Sequence, residues 1–180
     1  MAFISKETAT KIRKEIRAIA KKYDCKLSAK IRDNTNLDVV ITEGELDVVA
    51  DYKISQNQAI ENTVRKIAMK SVELDKKAFF EELEKTVSGV MEPEKYFYPY
   101  LEFVQILKGD IRVENAKYHF TGEAGKMIAE IEKAIKKFGD WHDDSDVMSD
   151  YFDIAFYYNI SVGSWDKPYK KIGKKTKVAA

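Results

Sequence analysis

The periodicity of this chain predicts an α+β fold in which helices pack on one face of an antiparallel sheet. Three observations carry that expectation. An amphipathic helical stretch opens the chain at Lys6–Tyr23. Two alternating runs, Lys26–Arg32 and Leu37–Glu43, flank the turn sequence Asp33–Asn36. A third run, rich in aromatics, covers Tyr151–Val162. Between them lies a helical middle, about 56–109, which reads as an insertion into a core drawn from about 1–55 and 110–170. At 180 residues the chain fits one domain spanning 1–180, with 171–180 as a mobile tail.

Ser5 is placed to cap the first helix, and Ile12, Ile16, Ile19 and Ala20 give it one apolar face. Lys11, Lys14, Arg17, Lys21 and Lys22 lie elsewhere around it, so its wet side is basic. In the hairpin, Leu27, Ala29 and Ile31 alternate with Lys26, Ser28, Lys30 and Arg32. Leu37, Val39 and Ile41 form the matching row of the return strand. The sequence "LDVVADY" after Gly44 reads as a short third strand.

The middle holds one helix on Ile60, Val64, Ile67 and Met69, and another on Phe79, Phe80, Leu83 and Val87, with Gly89 as its stop. Pro93 and Pro99 make "EPEKYFYPY" a connector carrying an aromatic cluster of Tyr96, Phe97, Tyr98 and Tyr100. That cluster reads as a packed corner, with a stacking or partner patch as the other reading. "YLEFVQIL" fits helix and strand alike, and "IRVENAKYHF" reads as extended or as a turn. Thr121 is placed to cap a helix ending at Gly139, whose late lysines 133, 136 and 137 suit its C-terminal dipole. The final strand should set Phe152, Ile154, Phe156, Tyr158 and Ile160 on a core face. Tyr151, Asp153, Ala155, Tyr157, Asn159 and Ser161 should lie on the other.

Lys and Arg number 31 against 30 acids, so no global field directs the chain to nucleic acid or membrane. The local balance differs. Lys6–Arg32 holds ten cations against three acids, Gly139–Gly163 holds six Asp and no cation, and Ser164–Ala180 holds six Lys against Asp166. Cys25 is the single cysteine, which points to a reducing, cytoplasmic setting and to a buried or half-buried thiol at a strand start. The first residues do not resemble a signal peptide, and no apolar run reaches membrane-spanning length.

The sequence "DDSDVMSDYFD", with His142 before it, offers Asp143, Asp144, Asp146, Asp150 and Asp153 as oxygen ligands. It lacks the Gly and the closing Glu of a calcium loop, and a polar turn capped by its own Asp and Ser side chains is the expected reading. The chain contains no Gly-rich phosphate loop, no G-x-S-x-G, no C-x-x-C and no H-E-x-x-H, and only two histidines, His119 and His142. No catalytic residue, metal or cofactor is expected.

The ending "DDSDVMSDYFDIAFYYNISVGSWDKPY" resembles the close of the large polyvalent protein-associated domain family, the twenty-ninth of that series. Its members often carry S-D-x-M-x-D-Y-F, an aromatic strand, then G-x-W-D-K-P-Y. Here those positions are Ser145, Asp146, Met148, Asp150, Tyr151, Phe152, Gly163, Trp165, Asp166, Lys167, Pro168 and Tyr169. The helix, strand, turn, strand plan of the first 45 or so residues is similar too, whereas about 54–111 matches nothing in that pattern. The resemblance implies an accessory protein of a phage or conjugative element that acts in the host cell against its defences or on incoming DNA. It carries over no catalytic residue.

The expected function is therefore non-enzymatic. The chain would bind and block a host protein or ribonucleoprotein, such as a CRISPR effector, in the bacterial cytoplasm. Asp143, Asp144, Asp146, Asp150, Tyr157, Trp165 and Tyr169 are the candidate partner-binding residues. The alternative is direct nucleic-acid binding through Lys14, Arg17, Lys21, Lys26, Lys30, Arg32 and the lysine tail. A metal-dependent nuclease is the third reading.

Overall fold

A computed structural model describes residues 2–71, 73–108, 111–112, 120–149, 151–164 and 166–173. The order is α1 (Lys6–Lys22), β1 (Cys25–Arg32), β2 (Asn36–Gly44), α2 (Val48–Asp51), α3 (Gln58–Lys70), α4 (Lys76–Thr86), α5 (Glu94–Leu107), β3 (Ile111–Arg112), α6 (Gly122–Phe138), a 3-10 turn (Val147–Ser149), β4 (Tyr157–Val162) and β5 (Lys170–Lys171). The fold is α+β.

The five-stranded sheet runs β1-β2-β4-β3, with β5 beside the end of β2. β1 and β2 form the expected hairpin. Asp33 (φ 54) and Asn34 (φ 55) turn it in the left-handed region that their short polar side chains tolerate. The sheet is mixed, which corrects the all-antiparallel expectation. β4 lies parallel to β2, pairing Leu37 with Tyr158 and Ile41 with Val162, and β3 is antiparallel to β4. The strand direction follows from the long connection through the helices, which returns the chain to the same end of the sheet before β4 begins.

Leu37, Val39, Ile41, Ile160 and Val162 share the inner sheet face and are buried under α1 and α6. α1 contributes Ala9, Ile12, Ile16 and Ala20, and α6 contributes Ala124, Met127, Ile128, Ile131, Ala134 and Ile135. Each set recurs at three or four residues, which the 3.6-residue turn places on one stripe. On the outer face Lys30, Arg32, Tyr157 and Asn159 are exposed, Asp38 and Val40 are half-buried, and Ser161 is buried.

α3, α4 and α5 form a helical lobe around a ring cluster. Phe79 lies 4.5 Å from Tyr100 and 5.4 Å from Phe97, centroid to centroid. Phe97 and Tyr100 are therefore core, while Tyr98 is exposed. The expected connector is in fact the first half of α5, with Pro99 inside the helix. Proline removes one ladder bond there, and the burial of Phe97, Tyr100, Phe103, Val104 and Ile106 outweighs that loss. Two further expectations change. "LDVVADY" forms α2, capped by Asp47, rather than a strand, and Met69 on α3 points to solvent. Lys171, expected in the mobile tail, belongs instead to β5 and pairs with Asp47. Residues 174–180 lie outside the described residues.

Candidate functional site

The acidic stretch after His142 does not continue the sheet. The described residues 142–149 and 151–155 pair with one another as a small hairpin. Asp144 N–H donates to Asp153 O (2.8 Å), Asp146 N–H to Tyr151 O (2.7 Å), and Ala155 N–H to His142 O (3.0 Å). The 3-10 turn Val147–Ser149 forms its tip. Asp146 builds that tip. Its carboxylate accepts from Met148 N–H (2.9 Å) and from the Ser149 hydroxyl (2.7 Å), and those bonds hold it below the usual carboxylate range.

Because 151–154 pair with 143–146, regular β4 starts only at Tyr157. The expected core row therefore breaks. Phe156 and Ile160 are buried, Ile154 and Tyr158 half-buried, and Phe152 is 65% exposed. Tyr151 is 56% and Met148 95% exposed. The hairpin is anchored to the body at its base: Trp141 Nε1 donates to Phe156 O (2.8 Å), Phe3 N–H to Ala155 O (2.7 Å), and Tyr157 N–H to Thr35 O (2.8 Å). Phe3 and Tyr157 are themselves exposed at this base. The result is a projection bearing exposed carboxylates at Asp143 and Asp144 among exposed apolar side chains. Sequence reasoning named the acids but missed Phe3, Met148 and Phe152. A Met flanked by Asp146 and Asp150 in a polar turn was the available signal for exposure.

Of the other candidate partner-binding residues, Tyr157 belongs to this end of the molecule. Tyr169 does not. It is half-buried against Gly44 and Cys25, and its hydroxyl donates to Leu46 O (3.2 Å), so it pins β5 to the body. Asp150 and Trp165 lie outside the described residues.

His142, Asp144 and Asp153 are, among the described residues, the one group that could hold a metal ion. One ligand atom from each lies within 4.8 Å of the others, and His142 Nε2 is 3.4 Å from Asp153 Oδ1. Asp153 also accepts from the Tyr151 hydroxyl (3.3 Å).

Cys25 lines a surface groove of about 420 Å³ with Lys21, Lys26, Glu43 and Glu45. Its sulfur sits 3.5 Å from Met127 Sδ, and burial pushes the thiol up to about 11. It is thus a protonated packing residue at neutral pH, poorly suited to nucleophilic work.

The basic candidates divide between two surfaces. Lys14, Arg17 and Lys21 are exposed on α1, while Lys26, Lys30 and Arg32 sit on the outer sheet row. Lys26 is paired with Glu43 (2.6 Å) and Arg32 with Asp38 (3.6 Å), which neutralises two of the three sheet cations.

No family model matches the chain, and neither a curated protein nor a solved structure shows a significant match to it.

Proposed function

We propose that this chain is a non-enzymatic accessory protein of a phage or mobile element that docks on a host macromolecule and blocks it. The target class is a host protein or ribonucleoprotein with a basic nucleic-acid channel, as a CRISPR-type defence complex has. The observation that carries this reading is the projecting hairpin, where Asp143 and Asp144 stand beside exposed Met148, Tyr151 and Phe152. Carboxylates in that arrangement take the place of phosphates in a cationic channel, and the apolar side chains supply contact area that phosphates lack. The phage context rests on the resemblance of the ending, Ser145 to Tyr169.

The test is capture of a complex from bacteria expressing the tagged chain, with and without nuclease. A stoichiometric, nuclease-resistant complex that disappears with Phe152→Ser and with Asp143→Asn/Asp144→Asn supports the reading. A complex unaffected by those substitutions, or one dissolved by nuclease, overturns it.

A further inference from the structure

The structure carries a second charged surface, on α1. By the 3.6-residue turn, Lys6, Lys14, Arg17 and Lys21 fall inside an arc of about 80° and extend over about 22 Å of helix axis. All four are exposed. None has an ion-pair partner among the described residues. Elsewhere Lys22, Lys70, Lys126, Lys136 and Lys171 are each matched to a carboxylate. Lys21, at the end of the row, shares a groove with Asp24, Glu43 and Glu45, but the acids of α1 itself do not neutralise the row. Glu15 lies about 160° round the helix from Arg17. Glu7 sits at the row's edge in the first turn, where the helix dipole favours it.

The row is also held rigidly. Ala9, Ile12, Ile16 and Ala20 bury the opposite face of α1. Arg13 donates its Nε to Ala29 O (3.0 Å), which ties the flank of the helix to edge strand β1. No aromatic side chain lies in the row; of the exposed aromatics, Phe3 precedes α1 at the base of the hairpin, Tyr151, Phe152 and Tyr157 belong to the hairpin region, and Tyr98 lies on α5. A single strand is usually held by stacking its bases on aromatics, whereas a duplex presents its phosphates at fixed spacing with the bases already stacked.

We infer that α1 is a docking ridge for a nucleic-acid duplex, read through its phosphates without base contacts. This inference is independent of the hairpin reading, because it uses different residues and a different ligand.

Fluorescence anisotropy with a labelled 20-base-pair duplex DNA tests it, alongside the same-sequence RNA duplex and single-stranded DNA. Four phosphate contacts predict a slope of log K against log salt of about −3.6. Lys14→Gln/Arg17→Gln should halve that slope and weaken binding by about 60-fold near 0.1 M salt, taking 1 M as the point where the electrostatic gain vanishes. Asp143→Asn/Asp144→Asn should leave both unchanged, which separates this ridge from the hairpin. The DNA and RNA duplex arms identify which source of phosphates is preferred. Absence of duplex binding at low salt, tighter binding of the single strand, or an unaltered slope in the α1 double variant would each overturn the inference.

Discussion

Asp51 caps a helix that begins 71 residues after it in the chain: its Oδ2 accepts from Ala124 N–H at 2.8 Å, in the first turn of α6. The Asp51 backbone oxygen also accepts from Thr121, from N–H at 2.8 Å and from the hydroxyl at 3.0 Å. Thr121, the expected cap, thus spends its hydroxyl on tethering α6 to α2 and makes no side-chain cap bond itself. Gly122 adopts φ +60, and a Cβ there would come within 2.3 Å of the Asp51 carboxylate. Asp51→Ala should cost about 1 kcal/mol, the usual worth of a lost cap. Gly122→Ala should cost more, since it adds left-handed strain to the clash. The double variant should cost less than the sum, because removing the carboxylate relieves the clash. Urea midpoints of the four proteins decide this.

Glu61 and Arg65 hold the segment between α2 and α3. Glu61 accepts from Ile54 N–H (2.8 Å), Ser55 N–H (2.9 Å) and Arg65 Nε (2.6 Å). Arg65 also donates to Val49 O (3.2 Å) and Tyr52 O, and lies 4.9 Å over the Phe103 ring. Both side chains are largely buried. Glu61→Ala strands the guanidinium and two backbone donors and should cost about 3 kcal/mol in chemical denaturation. Arg65→Lys should recover little of an Arg65→Ala loss, because an ammonium cannot reproduce the three-way fork.

Cys25 gives a pH dependence with a definite sign. Its folded thiol is pushed up to about 11, mainly by burial, against roughly 8.5 in an unfolded chain. The folded state therefore keeps a proton that the unfolded state releases. The associated stability is full below about pH 8.5 and is lost as pH rises towards 11. Buried Tyr52 and half-buried Tyr169 are also raised and act in the same direction at higher pH. Wild type minus Cys25→Ala isolates the thiol: the difference in unfolding free energy should shrink between pH 8.5 and 11. The same thiol should alkylate slowly at pH 8 in the native state and quickly in urea.

Local pattern made α1, the β1–β2 hairpin and α6 legible, since Ile12 and Ile16, or Leu37 and Val39, announce the period that buries them. It failed where distant contacts decide. Pro99 argues locally for a break, yet packing of Phe97 and Tyr100 on Phe79 keeps the helix continuous. The direction of β4 is set by the path of the helical lobe and leaves no mark in "YYNISV" itself. At the candidate site, the acids were visible but their division of labour was not. All three are exposed; Asp146 builds the tip through Met148 N–H and the Ser149 hydroxyl, Asp143 accepts a longer bond from Ser145 N–H (3.3 Å), and Asp144 lies beside His142 and Asp153. Tyr169 looked like surface because nothing local shows that β5 returns to Gly44.

The His142, Asp144 and Asp153 group makes a metal prediction. Ligand atoms around a transition ion at about 2.1 Å stand about 3.4 Å apart. Here one atom from each lies within 4.8 Å of the others, His142 Nε2 being 3.4 Å from Asp153 Oδ1, and His142 and Asp144 are exposed. Three ligands on a solvent-exposed hairpin hold an ion weakly, so millimolar magnesium, manganese or a chelator should leave the melting temperature unchanged. A saturable rise with manganese that His142→Ala and Asp144→Asn both abolish would show the group to be a genuine site.

The hairpin separates binding from stability. Met148 and Phe152 are 95% and 65% exposed, so Met148→Ser and Phe152→Ser should change unfolding free energy by no more than about 0.5 kcal/mol. Each should nevertheless weaken the captured complex by raising its dissociation rate, since apolar anchors act on lifetime. Asp143→Asn/Asp144→Asn should instead slow association, by about 10-fold at low salt and far less at high salt, since exposed charge steers encounter. Asp146→Ala should do something different again. Its carboxylate holds Met148 N–H and the Ser149 hydroxyl, so its loss unfastens the tip and should alter both rates together. Equal effects of all these substitutions on both rates would mean that the hairpin acts as one structural unit, with no division between steering acids and anchoring side chains.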